Sequence, residues 1–155
     1  MNADHTTLAA SHLASGHGAT YTVIGDDRVT IKLAAADCGG AVTVIETTTM
    51  PGDGPPRHVH EREDELFYIL EGEFVFEVGD EGESITARAG DFLRVPRRVP
   101  HRFVNVARTP GKLLIICTPG GFDRFVADFA EVPADQPPDF ARIAAIGANH
   151  GISFV

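Results

Sequence analysis

The chain has 155 residues, a common size for one domain, and its 22 acidic and 13 basic side chains give a formal net charge of -9. A negative surface repels phosphate backbones, which argues against nucleic acid as a partner. The two cysteines form no C-x-x-C pair, and no stretch reaches the roughly 18 apolar residues of a membrane span. We therefore expect one cytoplasmic domain that does not enter a membrane.

The N-terminal residues 1–18 are small and polar, which predicts a flexible tail. From residue 21 onward, short runs rich in Val, Ile, Thr and Phe alternate with Gly and Pro, a pattern typical of β-strands. Strands are predicted over residues 21–24, 29–33, 41–49, 66–70, 74–78, 84–87, 92–95, 101–106 and 113–117. Residues 71–73 suggest a hairpin between two of them. Many short strands at regular spacing favour an all-β sandwich or barrel.

After residue 118 the apolar period becomes helical, which predicts one helix over residues 121–130 and a second over residues 139–148. Residues 133–138 form a proline-rich linker. In the second helix, Phe140, Ile143 and Ile146 are expected to face the barrel. The predicted organisation is a barrel over residues 19–120 and a helical extension over residues 121–155 that packs on it.

Four side chains form a candidate metal site. His58 and His60 are one residue apart, so an extended chain points both imidazoles the same way. Glu65 begins the next strand, and His101 begins another strand about 40 residues later, which antiparallel pairing can bring back beside the first. Three imidazoles and one carboxylate suit Zn, Fe, Mn, Ni or Co. A His-x-His pair also arises by chance, so spacing alone makes the site only plausible.

The residues around these four carry a resemblance. The first segment matches G-x5-H-x-H-x4-E-x6-G at every position, with Gly52, His58, His60, Glu65 and Gly72. A second segment resembles G-x5-P-x-G-x2-H-x3-N through Gly90, Pro96, His101 and Asn105, with Arg98 in place of the internal glycine. The chain therefore resembles the cupin superfamily, in particular small single-domain bacterial cupins described as quercetin-dioxygenase-like.

The resemblance implies a double-stranded β-helix, a jelly-roll barrel with one or two short C-terminal helices. It implies that His58, His60, Glu65 and His101 hold one divalent transition metal in the mouth of the barrel. It also implies a dioxygenase that takes O₂ and a small aromatic, phenolic or enolic substrate, with Glu65 as a catalytic base as well as a ligand. The alternatives are a metal-dependent isomerase or polyketide cyclase, and a non-catalytic metal- or ligand-binding cupin. Members of the superfamily commonly dimerise, and residues 21–33 are the expected contact in a homodimer.

Strand alternation suggests which side chains surround such a metal. The candidates for the substrate pocket are Phe67, Phe76, Phe103, Asn105 and Ile115. The alternative is that these side chains simply fill a small barrel. The charged loop residues Arg62, Glu63 and Asp64 are interpreted as rim charges. Arg98 affects only the turn geometry: if that position needs a positive φ, arginine costs about 1–2 kcal/mol there.

Overall fold

The computed structural model describes residues 10–23, 26–130 and 139–155, and within them the chain forms two antiparallel sheets. This confirms the predicted double-stranded β-helix with two short C-terminal helices. The strands are β1 (Ala19–Thr22), β2 (Arg28–Leu33), β3 (Thr43–Thr49), β4 (His58–His60), β5 (Asp64–Glu71), β6 (Glu73–Val78), β7 (Glu83–Arg88), β8 (Phe92–Val95), β9 (His101–Asn105), β10 (Gly111–Thr118) and β11 (Ile152–Phe154). The helices are α1 (Phe122–Ala130) and α2 (Phe140–Asn149), and a short 3-10 turn covers Ala35–Cys38.

The sheets place the predicted elements in a barrel. One sheet has the order β1-β2-β3-β10-β5-β8 and the other the order β11-β4-β9-β6-β7. Side chains alternate between the inner and outer faces, so that every second residue of β3 and β10 is buried. The inner faces share one apolar core, in which Phe67, Phe74, Phe76, Ile69 and Leu113 are completely buried.

The predicted hairpin at residues 71–73 is wrong. Strands β5 and β6 lie in different sheets and do not pair with each other. Only Gly72 separates them, and one residue cannot form the two-residue loop of the tightest common hairpin. Gly72 has a φ of 91°, and a Cβ there would lie 3.1 Å from the Gly111 Cα. The glycine therefore turns the chain from one sheet to the other where a larger residue would not fit.

The C-terminal segment differs from the prediction in two ways. An unpredicted strand, β11, pairs with β4, so the end of the chain completes the sheet that carries His58 and His60. Phe140 does not face the barrel but is 76% exposed. Asp139 caps α2 by accepting from the Arg142 backbone N–H, and the helix then turns Ile143 and Gly147 inward. The predicted linker at residues 133–138 lies outside the described residues.

Two expectations stay predictions. In the predicted flexible tail over residues 1–18, residues 1–9 lie outside the described residues and residues 10–18 are exposed. Strand β1 forms one edge of the six-stranded sheet, where a dimer contact through residues 21–33 would be placed. Within the described ranges, no helix is long and apolar enough to cross a membrane.

Candidate metal centre

The fold brings the four predicted ligands together. His58 and His60 both point inward from β4, and His101 at the start of β9 pairs directly with His58. Glu65 is the second residue of β5, on the facing sheet. All four side chains are buried, and one ligand atom from each lies within 4.8 Å of the others. Alternation within short strands places these atoms at one point between the sheets.

The hydrogen bonds of the imidazoles fix which nitrogen faces this point. The Nδ1 atom of His58 lies 2.8 Å from the Pro56 carbonyl oxygen, and that of His101 lies 3.1 Å from the Val99 carbonyl oxygen. A carbonyl only accepts, so each Nδ1 donates a proton. In the neutral ring, Nε2 then carries a lone pair, which is the form that binds a metal. The backbone thus holds both rings in a ligating tautomer.

His60 is oriented by a carboxylate instead. Its Nδ1 lies 3.2 Å from the Glu63 Oε2 atom, and Glu63 is only 5% exposed. The interpretation of Glu63 as a rim charge is therefore wrong. A carboxylate bonded to the far nitrogen of a ligating histidine fixes the ring and raises its basicity. The available sequence signal was that Glu63 is one of four acidic residues between positions 61 and 65, but spacing did not show that its side chain turns inward.

The inner atoms of the site have an unusual arrangement. The Glu65 Oε2 atom lies 4.0, 3.4 and 2.5 Å from the Nε2 atoms of His58, His60 and His101. Yet Glu65 Oε2 and the Nε2 atoms of His60 and His101 have no partner with hydrogen-bond geometry among the described residues. Buried polar atoms in proteins nearly always have partners. Lone pairs that converge on a carboxylate are the donor set of a cation, so this group could hold a metal ion.

The electrostatics of the site agree with this. Burial, together with the neighbouring His101, lowers the pKa of His58 to about 3, so the ring is neutral at physiological pH. Burial alone would raise the pKa of Glu65, but the histidines, His60 first, lower it to about 2. Burial also lowers the pKa of His60, while Glu65 and Glu63 raise it by more. The carboxylates of Glu63 and Glu65 therefore favour a positive charge among the four candidate ligands, and the neutral His58 does not supply one.

The loop before His101 contains the departure from the cupin motif. Arg98 has a φ of 67°, the left-handed conformation that a glycine adopts easily. Its backbone N–H donates to the His60 carbonyl oxygen at 2.7 Å, and its exposed side chain lies 3.5 Å from a Glu61 oxygen. The arginine thus keeps the turn and ties this loop to the strand that carries two of the ligands. The expected cost of about 1–2 kcal/mol applies, because the position does have a positive φ.

A cavity opens beside the four ligands. It contains about 810 Å³ of empty space, part of it open to solvent, and His58 and Glu65 form part of its wall. Of the predicted pocket residues, Phe103 and Ile115 line this cavity. Phe67, Phe76 and Asn105 do not line it and are completely buried elsewhere in the barrel. The rings of Phe67 and Phe76 pack edge to face, 5.1 Å apart, within the core. The Asn105 amide donates to the carbonyl oxygens of Thr49 and Thr109 and holds a turn.

Much of the cavity wall was not predicted. It comes from the C-terminal segment, through Phe122, Phe125, Val126, Phe129, Ile152 and Phe154. The Phe122 ring lies 5.2 Å from the His60 ring, and the Phe154 ring lies 6.5 Å from the His58 ring. The helical apolar stripe of α1 was the available signal, but such a stripe usually indicates packing. Here the stripe both packs against the barrel and closes the cavity.

The sequence around this site is similar to those of known proteins. The family model described as "Cupin domain" matches residues 45–117, which include all four candidate ligands. Residues 45–117 are therefore a cupin domain. Quercetin 2,3-dioxygenase of Bacillus subtilis is 31% identical over 113 residues, which cover 73% of this cupin and 32% of that enzyme. A second curated relative is matched over 48% of its length. The chain therefore spans about a third to a half of the length of these curated relatives.

Solved structures show the same fold. KdgF from Halomonas sp. superposes with a TM-score of 0.65 at 20% identity, over 75% of this chain and 99% of that one. The polyketide cyclase RemF from Streptomyces resistomycificus superposes with a TM-score of 0.63 at 19% identity, over 71% of this chain and 80% of that one. At such identities the likeness concerns the barrel, and one barrel supports many chemistries.

Proposed function

We propose that this cupin is a metal-dependent dioxygenase that acts on a small phenolic or enolic substrate. The observation that carries the proposal is the set of ligand atoms from His58, His60, Glu65 and His101, which converge at the wall of an apolar cavity. The 31% identity to a quercetin 2,3-dioxygenase supports the oxygenase class over other cupin chemistries.

The chain's own residues have definite roles in this proposal. The two carbonyl-bonded rings, His58 and His101, present their Nε2 lone pairs, while Glu63 orients His60. Glu65 is ionised at neutral pH, because its pKa is about 2, and it neutralises part of the charge of a cation. So weak a base does not deprotonate a free phenol, whose pKa is about 10. A bound divalent metal would supply the missing factor, because it acidifies a hydroxyl that it coordinates and can activate O₂.

The cavity fits an aromatic substrate. Phe122 and Phe154 stand beside His60 and His58, so a planar ring that reaches the ligands would lie between apolar walls. Small-molecule sites are usually of this kind, mostly apolar with a few polar groups that fix orientation. Burial among these rings would also keep water away from the reacting atoms.

The proposal is tested by elemental analysis of the purified protein, followed by O₂-uptake assays on a panel of flavonols, catechols and enolic diketones. We expect about one transition metal per chain and O₂ consumption that depends on one substrate class. His101→Ala should lose both, whereas His17→Ala, at an exposed histidine outside the site, should lose neither. Turnover by metal-free protein would refute the proposal. Turnover without O₂ would favour the isomerase or cyclase, and bound metal without any turnover would favour a binding protein.

A further inference from the structure

A second polar cluster lies in the cavity, apart from the four ligands. Asp27, Thr47 and Thr49 all contribute to the cavity wall, and they are only 8%, 6% and 1% exposed. The rest of the wall is almost entirely apolar, with aliphatic and phenylalanine side chains. In an apolar cavity, the few polar groups are the ones that select and orient a ligand.

The strand register separates this cluster from the metal centre. Glu65 is opposite Cys117, whereas Thr47 is opposite Leu113, four residues further along β10. Four residues of strand extend roughly 13 Å. Asp27 lies beyond Thr47 in the same direction, because its Oδ1 atom accepts the Met50 backbone N–H at 2.9 Å, next to Thr49. The cavity therefore has a polar group at each end and apolar walls between them.

Part of the hydrogen-bonding capacity of the cluster is unused within the described part of the chain. The hydroxyls of Thr47 and Thr49 are buried and have no partner there. The Thr49 hydroxyl lies near enough to the Asp27 carboxylate to lower the pKa of that carboxyl, although their geometry is not that of a hydrogen bond. Buried groups of this kind are costly unless something completes their bonds. Burial first, and the nearby charges of Asp53 and Asp26, raise the pKa of Asp27 to about 6, so at a pH of about 8 it is an ionised acceptor.

A purely structural role for Asp27 needs only one of its oxygens. The bond from the Met50 backbone uses Oδ1 and joins the start of β2 to the end of β3. An asparagine would accept that bond equally well and would avoid the burial of a charge. The second carboxylate oxygen, the wall position and the two unpaired hydroxyls have no part in such a role.

We infer that Asp27, with Thr47 and Thr49, forms a specificity site that binds a hydroxyl group at the end of the substrate distal to the metal centre. The carboxylate accepts the hydroxyl proton in a hydrogen bond, and a threonine hydroxyl can donate to the ligand oxygen. This inference rests on the proposed function, because it assumes that the other end of the ligand lies at the four metal ligands. Thr47 and Thr49 are supporting groups here, and Asp27 supplies the discrimination.

The test compares two rigid ligands that differ only at one end, 4,4′-dihydroxystilbene and 4-hydroxy-4′-methoxystilbene. Their dissociation constants are measured by fluorescence titration at a pH of about 8, with the purified protein at its recorded metal content. Wild type should bind the dihydroxy compound about tenfold or more tightly than the methyl ether, because the methoxy group has no proton to donate to the Asp27 carboxylate and offers only an acceptor oxygen. In Asp27→Asn the amide N–H can donate to it, so the preference should fall to about threefold or less. Asp26→Asn, an exposed neighbour, should keep the wild-type preference.

The outcomes separate the two ideas. If wild type and Asp27→Asn bind both stilbenes with the same ratio, the inference is overturned while the proposed function stands. An equal loss of preference in Asp26→Asn would also overturn it, because the effect would then be one of general charge. If metal-loaded wild type binds neither stilbene, the inference falls, and O₂-uptake on the wider panel decides the proposed function separately.

Discussion

Replacing Glu63 with glutamine should weaken metal binding by about tenfold. The side chain is buried, and its Oε2 atom accepts from His60 Nδ1 at 3.2 Å. Glutamine keeps an acceptor of the same shape but removes the negative charge. A hydrogen bond to a charged group contributes about 1.5–3 kcal/mol and a neutral one about 0.5–1.5 kcal/mol, a difference of about 1–1.5 kcal/mol. About 1.4 kcal/mol is tenfold in an equilibrium constant, and outer partners of metal ligands typically contribute 10- to 100-fold.

The assay is competition between the protein and a chromophoric chelator for Zn²⁺, with thermal unfolding of both metal-free proteins to confirm an intact barrel. Glu61→Gln is the matched control, because it makes the same change two residues away on a side chain that is about half exposed. Its affinity should stay within about twofold of wild type, since exposed ion pairs contribute little. Unchanged affinity in Glu63→Gln, or an equal loss in Glu61→Gln, would show that the buried carboxylate does not support His60.

Three further predictions concern stability. Asp27 is held at a pKa of about 6 against an ordinary 3.8, so the folded state binds more protons between these values and its stability falls as the pH rises through them. Asp27→Asn should therefore remove this loss and raise the free energy of unfolding at neutral pH by about 1–2 kcal/mol. The full pKa shift sets an upper limit of about 3 kcal/mol. Urea titrations of both proteins at two pH values would contradict this if the variant and wild type did not differ. Arg98→Gly should stabilise the protein by about 0.5–1 kcal/mol in the same assay, because relief of the positive φ outweighs the entropy that glycine adds to the unfolded chain. A loss of stability would show that the contacts of the arginine side chain contribute more than its backbone strain costs. Gly147→Ala should destabilise the protein by about 1–3 kcal/mol despite the better helix propensity of alanine, because the added Cβ would lie 2.7 Å from the Ile152 backbone oxygen. A melting temperature above that of wild type would contradict this and would mean that β11 moves aside without cost.

Some features of the site follow from local sequence. Two histidines one residue apart must share a face of any strand, and the Gly and Pro positions around them match a motif that occurs with this barrel. The short strands and the helix over residues 122–130 also follow from apolar periodicity. These properties depend on neighbours within a few residues, so they were predicted correctly within one or two residues at most boundaries.

Other features depend on contacts between distant parts of the chain. Whether Glu63 points outward or toward His60 is decided by the loop between β4 and β5, whose path is fixed by packing and not by spacing. The α1 stripe becomes a cavity wall only because β11 pairs with β4 and brings the C-terminal segment over the site.

The sequence determined the four candidate metal ligands, whereas the tertiary structure decided the shape and the far end of the cavity beside them. Strand alternation places Thr47 and Thr49 on one face of β3 but does not determine whether that face is solvated, packed or part of a cavity. Only the closure of two sheets and one helix around that face makes it a cavity wall, and only then does the unpaired state of those hydroxyls carry meaning. His58 and His60 are related by local geometry within one strand, and the sequence motif adds Glu65 and His101, whereas a cavity is a property of all the elements that surround it.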